Sequence, residues 1–232
     1  MLILKILAAS FLYPFLNYKE TLNAITIPFL IYTINWAVGF ELALQDPLLG
    51  WLSLIIQIFA LSMLLTNCCF LVMGETPVNA FSGMNLYLRV FALFAVWTIV
   101  VTVFQYLLIG VLINVVLVQS QQQTNLVSII CQLMSRSLLF WMALVIPHYI
   151  FSGDAKFRNI FHLSKALMLQ LVLLAFILQG IRLIVDWLLS MSDFLYINYL
   201  AIFWLFFIQI VGGFLLGLSY LAVRDMQPKE QL

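Results

Sequence analysis

Long apolar stretches alternate with short polar gaps along this chain, and within each stretch the apolar residues run on rather than falling at every second position. A helix that crosses a bilayer needs about 20 apolar residues. Six segments reach that length, at about residues 22–40, 49–73, 90–118, 126–151, 166–189 and 196–222. Unbroken apolarity selects helices over a transmembrane barrel, whose strands alternate lipid-facing and lumen-facing positions. Residues 1–17 predict a shorter amphipathic helix lying at the interface, with Lys5 and Lys19 towards the headgroups. Residues 223–232 predict a tail. The expected fold is all-α, a single membrane domain over residues 1–232 with six transmembrane helices.

The gaps are of two kinds. Those near 41–47, 119–125 and 193 hold Glu41, Asp46, an uncharged run rich in Gln, and Asp193, and no base. The alternate gaps hold Lys5, Lys19, Arg89, Lys156, Arg158, Lys165, Arg224 and Lys229, eight of the ten basic residues. Short loops rich in Lys and Arg stay in the cytoplasm. Both termini and the tail are therefore predicted cytoplasmic, which requires an even number of spans.

Composition narrows the function more than it defines it. Hydrophobic residues make up 65% of the 232 and charged residues 8%, against about 25% charged in a soluble domain. Lipid is the expected surrounding, with a membrane protein as a possible further partner. A net charge of +1 gives no reason to expect nucleic acid. Cys68, Cys69 and Cys131 form no CxxC or Cys/His spacing and read as small apolar residues in helices. His148 and His162 have no second ligand at metal spacing on their own segments. No nucleotide loop and no nucleophile–base pair stands out. Accordingly no catalytic residue, metal or cofactor is predicted.

A threefold pattern underlies the six spans. Three segments each place Phe first, a polar residue fifth and an apolar residue eighth: Phe15, Lys19 and Leu22; Phe81, Asn85 and Leu88; Phe161, Lys165 and Met168. Two of them follow a glycine–acid pair, Gly74 with Glu75 and Gly153 with Asp154. The pattern allows three repeats of an interfacial helix followed by a helical hairpin, an arrangement that can set helices around a pseudo-axis.

The run Ala143, Leu144, Val145, Ile146, Pro147, then Asp154, then a short amphipathic segment ending at Ser164, resembles the YciC-type bacterial inner-membrane proteins. It is similar also to the related membrane domain fused to some glycerophosphodiester phosphodiesterases. The likeness covers the layout of the chain and about twenty residues in detail. It implies a multi-pass protein of the bacterial inner membrane, and it carries no catalytic residues to transfer.

A few residues stand out against this apolar background. Arg136 lies about ten residues into the fourth segment, roughly 15 Å from its outer end at 1.5 Å per residue, where a charge costs at least ~2.5 kcal/mol. It reads as a contact for an anion or lipid headgroup, as an ion-pair partner of Glu41 or Asp186, or as a snorkelling residue if the helix begins near Ser135. Arg182 and Asp186 share a face of the fifth helix at helical spacing, as an interfacial ion pair or as part of a relay. Gly213 and Gly217 form a small-xxx-small face for close approach of another helix, internal or foreign. Pro28 predicts a kink in the first span. Asn35, Gln57, Asn67, Gln105, Asn114, Gln170, Gln179 and Gln209 fall within spans, as interhelical glue or as the lining of a polar path. No broken span is predicted, since glycines are sparse in the first five. Three functions follow in order: a non-enzymatic protein of envelope maintenance or membrane-complex assembly, a small transporter or channel for an amphiphilic solute, and a membrane-embedded enzyme.

Overall fold

The computed structural model describes residues 2–76, 83–116, 121–155, 157–190 and 197–225, and every element within them is helical. In chain order these are α1 (Leu2–Leu16), α2 (Tyr18–Gln45), α3 (Pro47–Val72), α4 (Met84–Val116), α5 (Gln121–Leu138), α6 (Phe140–Ala143), α7 (Val145–Ser152), α8 (Phe157–Ser164) and, after a 3₁₀ turn at Lys165–Leu167, α9 (Met168–Ser190) and α10 (Ile197–Asp225). Among the described residues, helices α2, α3, α4, α9 and α10 are each long and apolar enough to cross a bilayer, and the bent pair of α5 with α6 and α7 brings the number to six if it counts as one span. The molecule is an all-α, multi-pass membrane protein.

Local chemistry sets the helix ends. Asp46 accepts from the Leu48 amide at 2.8 Å as the N-cap of α3, and Pro47 opens the helix with φ already fixed. One residue thus separates α2 from α3. At the other end of the bundle α3 and α7 finish in the same way. Gly74 and Gly153 take φ values of 74° and 70°, the left-handed turn that a side chain resists. The Glu75 amide bonds back to Phe70 O at 3.0 Å, and the Gly153 amide to Tyr149 O at 2.9 Å. Both glycine–acid pairs of the sequence are helix stops built on a left-handed glycine, the first bond reaching back five residues and the second four.

The end where α3 and α7 stop is called the near end here. Arg89 donates to Tyr149 OH at 3.1 Å, Phe70 meets Phe151 edge-on, and Tyr220 stacks on Phe151, so the start of α4 and the end of α10 share it. Lys19, Arg158 and Lys165 are exposed there. The α2–α3 turn lies at the far end.

Helix α10 is the centre, touching α1, α2, α3, α7, α8 and α9. Three apolar clusters lie around it. One joins it to α7, α4 and α9 through Val145, Ile146, Leu171, Leu216 and Tyr220. The second joins it to α2 and α3 through Ala24, Leu64, Cys68, Phe206 and Phe214. The third joins it to α9 and α1 through Ile6, Leu174, Leu178, Val211 and Leu215. Helix α1 is apolar on its outer side as well, where Leu4, Leu12, Phe15 and Leu16 are exposed. Only Lys5 gives that side a charge. On α4, Ile99, Val103, Tyr106, Leu107 and Val111 are exposed, a face for hydrocarbon rather than water.

Candidate functional site

Contrary to the sequence expectation, the fourth apolar segment is not one continuous helix. The fourth bends by 48° between residues 124–138 and 140–152. Two causes are visible. Leu139 leaves helical geometry, with φ −95° and ψ 6°, and its carbonyl accepts the indole N–H of Trp97 from α4 at 3.1 Å. A second irregularity at Leu144 follows from Pro147, which has no N–H for the carbonyl of Ala143 and crowds it with its ring. Here the short α6 gives way to α7. Irregular backbone at membrane depth requires protein or a cavity around it, and Ala143, Leu144, Val145 and Ile146 are all buried.

Arg136 occupies the last turn of α5, roughly 18 Å along the helix from Thr124 at 1.5 Å per residue. Helix α5 runs from Gln121 through Ser135 to Leu138 and gathers its apolar residues on one face. Among the described residues no acid forms an ion pair with Arg136. The side chains of Glu41 and Asp186 lie outside the described residues.

Arg182 sits on α9, which packs along α5. Phe140, just past the break, and Ile181, beside Arg182, pack on the same apolar cluster, which runs along α10. The charge of Arg182 is felt at Arg136 and also at Tyr32 on α2. Trp204 of α10 packs on that cluster too, and its indole Nε1 is buried with no acceptor among the described residues. Arg136, Arg182 and Trp204 stand on α5, α9 and α10. Trp97, Trp204 and Tyr32 are not singled out by the sequence, because an aromatic in an apolar helix carries no signal of the helix it will face.

The remaining candidates are accounted for nearer the core. Gly213 and Gly217 face α3. A Cβ on Gly213 would stand 3.0 Å from the Cβ and Sγ of Cys68, and one on Gly217 3.3 Å from Val72 Cγ2. Their close-approach face is therefore occupied within the chain. Helix α2 runs through Pro28. Because Pro28 has no N–H, the carbonyl of Ala24 loses its intrahelical donor. Asn67 of α3 supplies one at 2.7 Å, and Tyr87 of α4 donates to Asn67 Oδ1 at 2.9 Å. Asn35 bonds Ser53 O at 2.9 Å and Ser53 Oγ at 3.0 Å, beside Gly39, where a Cβ would collide with Ser53. These two amides act as glue. A cavity of about 380 Å³ opens between α2 and α3, lined by Ile31, Ile34, Val38, Leu52 and Ile56, with Asn35 and Ser53 as its polar side chains.

The near end holds the titratable side chains. His148 Nδ1 lies 3.3 Å from Tyr220 OH, and Asp154 is within electrostatic range of that histidine. His162 is exposed, with its ring against Phe161. The Tyr13 hydroxyl donates to Leu71 O. Burial raises the phenol above its ordinary value, and Glu20 and Cys68 add to the rise, so it remains a donor. Cys68, Cys69 and Cys131 are free thiols, all buried. Among the described residues no three His, Cys, Asp or Glu side chains could share a metal ion.

No protein-family model, curated protein or solved structure matches this chain.

Proposed function

We propose that this chain is a YciC-like, six-span protein of the bacterial inner membrane, with both termini cytoplasmic, that handles an amphiphilic or lipid-like solute without covalent chemistry, in the service of envelope maintenance. The observation that carries this reading is the break in the fourth span at Leu139, held by Trp97. Discontinuous spans are where membrane transporters place their solute sites. The gathering of bases at the near end supports a cytoplasmic near end.

A second reading, a partner in membrane-complex assembly, draws on the open apolar cavity between α2 and α3. It gains nothing from Gly213 and Gly217, whose face is taken by α3. Purification in mild detergent, followed by mass spectrometry of what remains bound, separates the two. A stoichiometric amphiphile is expected. A stoichiometric protein with no retained amphiphile would favour the second reading. A reporter fused after Leu232 that reaches the outside would sink the orientation.

A further inference from the structure

The cavity between α2 and α3 opens to the side of the bundle. Ile34, Val38 and Leu52 are exposed at its rim. Both helices are long and apolar enough to cross a bilayer, so its mouth meets hydrocarbon rather than water. Its volume, about 380 Å³, is that of a small-molecule pocket, apolar with a few placed polar groups. A stable interface with another protein takes about 20–30 residues a side, far more than border this pocket.

The two polar side chains of the pocket are only partly used by the fold. The Asn35 amide nitrogen donates to Ser53 O at 2.9 Å and to Ser53 Oγ at 3.0 Å. Among the described residues Asn35 Oδ1 accepts no hydrogen bond and the Ser53 hydroxyl donates none. An open acceptor thus stands beside an open donor. A Cβ on Gly39 would lie 3.5 Å from Asn35 Oδ1 and collide with Ser53 Oγ, so the glycine keeps that side of the pair clear. Depth limits what can reach it. Ser53 lies roughly 8 Å inside the apolar run that starts at Leu48, and Asn35 about one turn inside the run that ends at Gly39. Among the described residues no charged side chain lines the pocket, and a charge brought to this depth is costly. A neutral hydroxyl fits, because it can donate to Asn35 Oδ1 and accept from Ser53 Oγ. Ile31 and Ile56 line the pocket about one turn deeper.

We propose that this pocket binds an uncharged lipid with a free hydroxyl, of the diacylglycerol kind, its hydroxyl on Asn35 and Ser53 and its chain along Ile31 and Ile56. This goes beyond the reading above, which stands on the break in the fourth span: α5, α6 and α7 take no part in lining the pocket.

The test uses the full chain in an uncharged detergent, with three probes: dioleoylglycerol, its acetyl ester, in which the hydroxyl is capped, and phosphatidylcholine. Titration followed by native mass spectrometry reports binding. The wild type should hold dioleoylglycerol about tenfold more tightly than the ester or phosphatidylcholine, a difference of one decade in Kd. Ser53→Ala should bring dioleoylglycerol and its ester close to parity. Leu52→Trp, which fills the mouth from an exposed position, should weaken dioleoylglycerol about tenfold. Ile99→Trp, on the exposed face of α4, should leave its binding unchanged.

A second readout guards against a variant that fails to fold. Saturating dioleoylglycerol should raise the thermal midpoint of the wild type and not that of Leu52→Trp, whose midpoint without lipid should match the wild type. Equal affinity of the wild type for dioleoylglycerol and its ester overturns the site, as does an unchanged preference in folded Ser53→Ala. Undiminished binding in Leu52→Trp places the lipid elsewhere and overturns it too. A stoichiometric protein that leaves only in Leu52→Trp, with no hydroxyl preference in the wild type, overturns it in favour of a protein occupant. None of these variants touches the fourth span, so the amphiphile reading stands or falls on its own test.

Discussion

Asn67 and Arg136 are both polar side chains placed deep among apolar helices, one in the near half of the bundle and one towards the far half. Asn67 answers a specific vacancy, the Ala24 carbonyl opened by Pro28, and is itself answered by Tyr87. Three helices are tied by one amide. Arg136 forms no ion pair with an acid among the described residues. In hydrocarbon an open carbonyl is a cost that any nearby donor can remove, whereas a lone charge needs an opposite charge or water. The near half is therefore where polarity serves the fold.

The largest effect expected is Gly213→Leu. The side chain would be driven into Cys68, and overpacking of this kind costs about 3 kcal/mol. Unfolding in mixed detergent should show a midpoint well below that of the wild type. A mild effect would mean that α10 can draw away from α3.

Next is Asn67→Ala, with an expected loss of about 1–2 kcal/mol for leaving Ala24 O and Tyr87 OH unbonded. Pro28→Ala in the same background restores the helix amide and should recover much of that loss. Additive losses in the double-mutant cycle would disprove the pairing of this amide with that proline.

Gly74→Ala and Gly153→Ala should each lower stability by about 1 kcal/mol, the strain of a Cβ in the left-handed turn. Nearly equal losses would sharpen the view of α3 and α7 as equivalent repeat ends, and a large disparity would weaken it. The smallest effect, about 0.5 kcal/mol, is expected of Trp97→Phe, since Met142 also bonds Leu139 O. Its proper readout is shape: spin-label distances across the fourth span should change as the bend relaxes. A loss as large as that of Asn67→Ala would erase the contrast between the two halves.

Much of the fold is legible in the order of residues. Apolar run length alone marks helices that cross a bilayer, because lipid permits few other backbones. The alternation of basic and base-free gaps distinguishes two ends. The glycine–acid pairs are visible as a pattern, though not as helix stops. The break is not legible. Leu138, Leu139 and Phe140 are ordinary helix residues, and the group that holds the carbonyl of Leu139 comes from Trp97, far away along the chain. The same holds for Asn67: Pro28 announces an orphan carbonyl at Ala24, but only the packing of α2 on α3 says which amide will reach it. Arg136 and Arg182 are conspicuous as charges out of place. Which neighbours they meet depends on how α5 lies against α9, which neither helix encodes alone.

The position of α10 also bears on how the protein is made. Helices α2 and α3, joined through Asp46, can pair as a hairpin soon after they leave the ribosome. The surface of α3 around Cys68 and Val72, shaped to receive Gly213 and Gly217, then waits for α10 to be synthesised. A nascent chain halted before residue 197 would present that surface to the insertion and quality-control machinery. Closure of this face of α3 thus waits for α10.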